Sequence, residues 1–215
     1  MNVVPDSVYG KVITGTDVER SLENTLQLFL PDYLAEVAEQ HGYARGYLPM
    51  PASWSLSNEV DNWPEDQLPA CIVVCPGLID APSRNGGKFD AVWGVSVAWV
   101  VSSQDRRLTR ELLQLYLGAT RAAIVQHQSL PQWNEDLGKT VTGIATGIDW
   151  IDEGYDDVPI DSTRTLGAGR ISLGIQVSDV VDVSKGIGNP SENPGNGQSE
   201  STFNDVEVEV RKVAL

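Results

Sequence analysis

The segment from Lys88 to Ser103 constrains this chain more than any other. Phe89, Ala91, Trp93, Val95, Val97, Trp99 and Val101 alternate there with a smaller, more polar set at Asp90, Gly94, Ser96 and Ser102. A period of two places successive side chains on opposite sides of an extended backbone, so the pattern predicts a long strand with one apolar face. A face of that size needs cover, which requires a sheet with a second layer packed on one side. Just upstream, Ala70–Pro76 is a β-branched run, and Asn85-Gly86-Gly87 between the two is a strong turn signal. The two strands are therefore expected to pair antiparallel.

Helical patterns supply the cover. From Gln104 to Gln128, Leu108, Leu112, Leu115, Ala119 and Ala122 recur along one stripe, with Arg106, Arg107, Arg110 and Arg121 elsewhere. Asp105, in the first turn, suits the helix dipole. An earlier helix is expected from Thr16 to Gln40, capped by Thr16 or Asp17, with Val18, Leu22, Leu26 and Phe29 on one face. Pro31 is expected to divide it and begin a second short helix through Tyr33, Leu34, Val37 and Ala38, ending near Gly42. Residues 43–69 hold four prolines and two tryptophans with little periodicity, which predicts a long surface excursion anchored by Trp54 and Trp63.

A third strand is read through Thr142, Ile144, Thr146, Ile148 and Trp150, and a fourth from Arg170 to Val177, where Ile171, Leu173, Ile175 and Val177 point one way. They are expected to form a second antiparallel pair, joined by an acidic loop from Asp152 to Asp161. The fold class is α+β: an antiparallel sheet of about four strands with helices packed on one face, occupying residues 1–183. Composition changes at Ser184. Residues 184–202 are almost wholly Gly, Asn, Ser, Pro, Glu and Gln, a linker composition that cannot bury enough surface to hold one conformation. Beyond it, residues 203–215 form an arm in which Val206, Val208 and Val210 alternate with Glu207, Glu209 and Arg211. A lone strand must find a sheet edge, so Phe203, Val206, Val208 and Val210 are candidates for a subunit interface.

Charge narrows the function classes. Thirty Asp plus Glu against fifteen Lys plus Arg leave a net charge of −15, which opposes a general grip on nucleic acid or on an anionic membrane. No apolar run long enough to span a bilayer occurs, and the start lacks the regions of a signal peptide, so no membrane association or secretion is expected. Cys71 and Cys75 stand four apart on an expected strand, about 13 Å between Cα atoms, too far for a disulfide. With His41 and His127 the only histidines and no second Cys pair, neither a metal nor a cofactor is expected. Gly94-Val95-Ser96-Val97-Ala98 lacks the second glycine of a nucleophile elbow and lies mid-strand. Gly167, Gly169 and Gly174 open no helix after a strand, so they read as turn and strand-spacing residues. The run Asp149, Asp152, Glu153, Asp156, Asp157 and Asp161 does not keep the alternate register of a calcium loop. No catalytic constellation emerges, and an enzyme is not expected.

Several short phrases, taken in order, carry a resemblance. They are Leu30-Pro31-Asp32-Tyr33-Leu34-Ala35-Glu36-Val37, Trp63-Pro64-Glu65-Asp66-Gln67-Leu68-Pro69 and Ile72-Val73-Val74-Cys75-Pro76-Gly77-Leu78. They continue with Gly147-Ile148-Asp149-Trp150-Ile151-Asp152-Glu153-Gly154-Tyr155-Asp156-Asp157 and Arg164-Thr165-Leu166-Gly167-Ala168-Gly169. Over residues 15–183 the chain resembles the tail terminator, or head-to-tail joining, proteins of long-tailed phages of actinobacteria. The resemblance implies a structural subunit that forms a ring, commonly a hexamer, on the last ring of the tail tube. There it would stop tube growth and meet the head connector or stopper, with genomic DNA passing through and not specifically bound. Its partners would be further copies of itself, the major tail tube protein and the head connector, in the virion neck and, during assembly, the host cytoplasm. It carries over no active site. Asp152, Glu153, Asp156, Asp157 and Asp161 are then candidates for a lumen rim or partner surface, where like charge keeps DNA from sticking. The alternatives are another neck protein, a stopper or adaptor, and a soluble module that binds calcium or a sugar.

Overall fold

A computed structural model describes residues 12–55, 65–85, 88–159 and 165–182. The expected linker at 184–202 and arm at 203–215, with Phe203, Val206, Val208 and Val210, lie outside the described residues, as do Trp63 and Asp161. The elements are α1 (Gly15–Gln40), β1 (Ser53–Ser55), a 3-10 turn at Glu65–Gln67, β2 (Ala70–Leu78), β3 (Ser83–Asn85), β4 (Lys88–Ser103), α2 (Arg106–Gln126), β5 (Gln132–Asn134), β6 (Lys139–Val141), β7 (Ala145–Pro159) and β8 (Thr165–Asp182).

The long alternating segment is β4, and it is the middle of the main sheet. The order is β1-β2-β4-β8-β7, with β3 paired to one end of β4. The fold is α+β as expected. The sheet has six strands instead of about four, because the excursion after α1 returns as β1 and the turn before β4 contributes β3. One pairing departs from the antiparallel expectation: β1 runs parallel to β2, which sets Trp54 beside Cys71 on the helix side. There Trp54 packs, partly buried, against the core. β5 and β6 form a separate two-stranded hairpin.

Both helices cover the same face of the sheet. Ala91, Val95, Val97, Trp99 and Val101 of β4 are buried beneath them with Ile171, Leu173, Ile175 and Val177 of β8, while Phe89 and Trp93 pack against this cluster partly buried. Trp99 is 0% exposed. Its ring stacks on Tyr116 at 4.3 Å, and its indole N–H donates to Thr120 Oγ1 at 2.8 Å. The Thr120 hydroxyl donates in turn to the Tyr116 carbonyl at 2.9 Å, so this buried polar group is satisfied.

The α1 region is one helix, not two. Pro31 sits inside α1 on its exposed side, while Leu30 and Leu34 bury on the inner side. The missing N–H of proline costs one helical hydrogen bond, and the apolar residues on either side of it hold the helix through that position. The N-cap is Thr14, ahead of the expected Thr16 or Asp17. Asp17 acts from the third helical position, its carboxylate accepting from the Thr14 amide at 2.8 Å and hydroxyl at 2.7 Å. Asp105 precedes α2 as its N-cap, accepting from the Arg107 amide at 2.8 Å.

The buried stripe of α2 is rotated from the expected one. Thr109, Leu113, Tyr116, Leu117, Thr120, Ala123 and Ile124 are buried, with Leu115 and Ala119, whereas Leu108, Leu112 and Ala122 are only half-buried. The cause lies in β8. A Cβ on Gly167 would fall 2.8 Å from Thr109 Cγ2, and one on Gly169 would fall 2.7 Å from Leu117 Cδ1. The two glycines thus let α2 lie close against β8 along the line of Thr109, Leu113 and Leu117.

Candidate functional site

The acidic segment expected as a loop is a strand as far as Pro159. β7 extends over 15 residues and pairs antiparallel with β8, from Ala145 opposite Val177 to Pro159 opposite Thr165. A strand tolerates its charges because β7 is the outermost strand and only one of its sides meets the body of the protein.

A register shift between Trp150 and Asp152 decides which charge faces where. The extra residue, Ile151, switches the parity of the strand, as a β-bulge does. Ile148 and Trp150 are on the helix side ahead of it, and Glu153 and Tyr155 are on that side after it, opposite Ile171 and Gly169 of β8. Asp149 and Asp152 stand on the open side, opposite Gly174 and Ser172, and of Asp156 and Asp157 the structure describes the backbone register alone, opposite Ala168 and Gly167. The candidates thus divide. Asp152 is exposed, 3.8 Å from Arg170, a solvated pair worth about 0–1 kcal/mol. Glu153 is drawn inward, and both of its carboxylate oxygens accept from one nitrogen, Nη2, of Arg121 on α2, at 2.7 and 2.6 Å.

This ion pair belongs to a small cluster. The Arg121 guanidinium lies 5.8 Å over the Trp150 ring, and the Tyr155 hydroxyl donates to Glu153. The carboxylate beside it raises the Arg121 pKa, while burial, followed by the Glu153 hydrogen bond, raises that of Tyr155. The chemical result is positional: a cation from α2 and an anion from β7 clamp the outer strand from behind. Sequence reasoning placed Arg121 only as off the apolar stripe, because its partner is 32 residues away. The clue was present in the bulge, since alternation counted from Ile148 breaks between Trp150 and Glu153.

Two features of this region remain available for contact. On its far side β7 has no pairing strand among the described residues, and Trp150, Ile151 and Tyr155 are 38%, 55% and 38% exposed. The sheet face away from the helices carries small residues at its centre, Gly94, Ser96 and Ala98 beside Ser172 and Gly174. Ile79 folds over Gly94 and Gly174, whose added Cβ atoms would meet it at 3.3 and 3.2 Å. Ala70, Ile72, Val100 and Leu166 form a second buried cluster on this face. The alternating carboxylates of β7 point to opposite sides, and among the described residues no group of three or more potential metal ligands converges. Among those residues, too, no helix is long and apolar enough to cross a membrane.

No family model matches the chain, and no curated protein matches it. Among solved structures the chain is similar to one in the virion of a native gene transfer agent particle. The identity is 12%, the match covers 72% of this chain and 97% of that one, and the TM-score is 0.33. That likeness assigns neither a family nor a function.

Proposed function

We propose that this chain is a structural virion subunit that assembles into a ring, a hexamer, at the head-proximal end of a phage tail tube, where it ends tube growth and joins tail to head. The observation that carries the reading is the free outer edge of β7, a 15-residue strand clamped by Arg121 and unpaired on its far side among the described residues. A strand of that length presents a row of N–H and C=O groups ready to pair with another chain. The resemblance of residues 15–183 to tail terminators supplies the place in the particle. Its partners in this reading are further copies of itself, the major tail tube protein and the head connector or stopper. Exposed Asp149 and Asp152, within a chain of net charge −15, suit a wall past which DNA slides without binding.

Omitting the chain during particle assembly tests this role. The expected product is tail tubes of uncontrolled length that lack heads. Tails of normal length that fail to join heads would assign the chain to a stopper or adaptor position. Infectious particles in normal yield would refute a neck role altogether.

A further inference from the structure

We propose that residues 203–213 of one copy add as an antiparallel strand to the free edge of β7 in an adjacent copy. This deepens the ring reading and rests on its claim that copies stand side by side. The edge is preformed, because the Arg121–Glu153 ion pair and the Arg121 guanidinium over the Trp150 ring hold β7 against α2. Of the usual protections of an outer strand it has the bulge at Ile151 and its carboxylates, but no lysine occurs between Ala145 and Pro159, and the one proline is its last residue. Outside the described residues, Phe203–Val213 carries the alternation that such an edge accepts, with Val206, Val208 and Val210 in phase.

Geometry selects the neighbour over the chain's own edge. Every pairing in the main sheet except β1–β2 is antiparallel, so an antiparallel addition to β7 continues its pattern. An antiparallel arm starts at the Pro159 end of β7. The described chain ends at Asp182, at the opposite end of the 18-residue β8, about 56 Å away at strand rise. The tether, residues 183–202, has a root-mean-square reach of roughly 22–27 Å and a limit of roughly 66–72 Å. Docking on its own β7 would stretch it to about twice its relaxed reach. A neighbouring copy can bring its Pro159 end within the relaxed reach.

In this arrangement the valines join Ile148, Trp150 and Tyr155 on the helix side, and Glu207, Glu209 and Arg211 lie on the open side with Asp149 and Asp152. Apolar contact drives the pairing and like charges oppose it. Salt therefore strengthens this contact, the reverse of its effect on a salt bridge.

Cross-linking between two versions of the full chain tests the proposal. One version carries Val208→Cys and the other Trp150→Cys, and they are mixed, oxidised and resolved by mass, both in concentrated solution and in assembled particles. The expected result is a covalent heterodimer that neither version gives alone, in a yield that rises severalfold with salt. In a third version carrying both substitutions, a cross-link that stays within single chains, with none between the two singly substituted versions, would overturn it in favour of the chain's own edge. Absence of any cross-link, in solution and in particles that contain the protein, would also overturn it. Particles that contain the protein without the cross-link leave the ring reading standing, whereas particles without the protein refute the ring and leave the solution result to decide the arm.

Discussion

Replacing Trp99 with alanine removes the largest fully buried side chain among the described residues. The indole accounts for roughly 150–250 Å² of buried surface, which at about 25 cal/mol per Å² is worth some 4–6 kcal/mol before the remaining methyl is credited. The stack on Tyr116 and the bond to Thr120 are lost with it. Thr120 keeps its own bond to the Tyr116 carbonyl, so no hydroxyl is stranded. The net cost is about 3–5 kcal/mol, as for other large-to-small changes in well-packed cores. In a domain of this size that lowers the melting temperature by roughly 6–20 °C. Trp99→Phe keeps the stack and most of the volume, and its cost is about 1–2 kcal/mol. Urea unfolding of the purified chain, followed by circular dichroism, measures both. A Trp99→Ala loss within about 0.5 kcal/mol, the range of surface sites, would refute the placement of this face beneath α2.

Two glycine substitutions should move stability in opposite directions in the same assay. Gly118→Ala, on α2 with open space around its Cβ, should stabilise by about 0.5–1 kcal/mol, whereas Gly143→Ala, whose Cβ would fall 1.7 Å from the Leu130 carbonyl oxygen, should destabilise by at least 1–3 kcal/mol. His127 stacks on Phe29 at 3.7 Å, and burial lowers its pKa from the ordinary 6.5. Its contribution is therefore present above pH about 6.5 and lost as pH falls through the depressed folded value, so between pH 7 and 5 the wild type should lose stability more steeply than His127→Gln. Superimposable curves would refute that. Asp156→Lys combined with Asp157→Lys should leave the melting temperature nearly unchanged while impairing tail completion or DNA passage, and fully infectious particles would remove the acidic strand from any such role.

β4 was legible in the sequence to the residue because burial on one side forces a period of two, and its pairing with β2 followed from the turn signal between them; β8 was legible as a strand paired with β7, but its pairing with β4, remote in sequence, was not. What was misread depended on partners remote in sequence. The stripe of α2 is set by Gly167 and Gly169, which no pattern within the helix reveals. Pro31 reads as a break until Leu30 and Leu34 are seen to anchor the helix on both sides of it. Asp and Glu are poor strand formers, so β7 beyond Trp150 read as loop, yet pairing along β8 outweighs that preference. Of the site candidates, Asp152 and Glu153 were visible as charges. Their opposite orientations depended on the bulge at Ile151, and the Arg121 clamp on a contact between separate elements.

The central claim is a place in the particle, and averaged electron micrographs of intact virions test it most directly. The account predicts a sixfold ring of this chain between the last ring of the tail tube and the head connector, with the edge of β7 at the contact between neighbouring subunits. Density for the chain elsewhere in the virion, or a virion without it, would contradict the account.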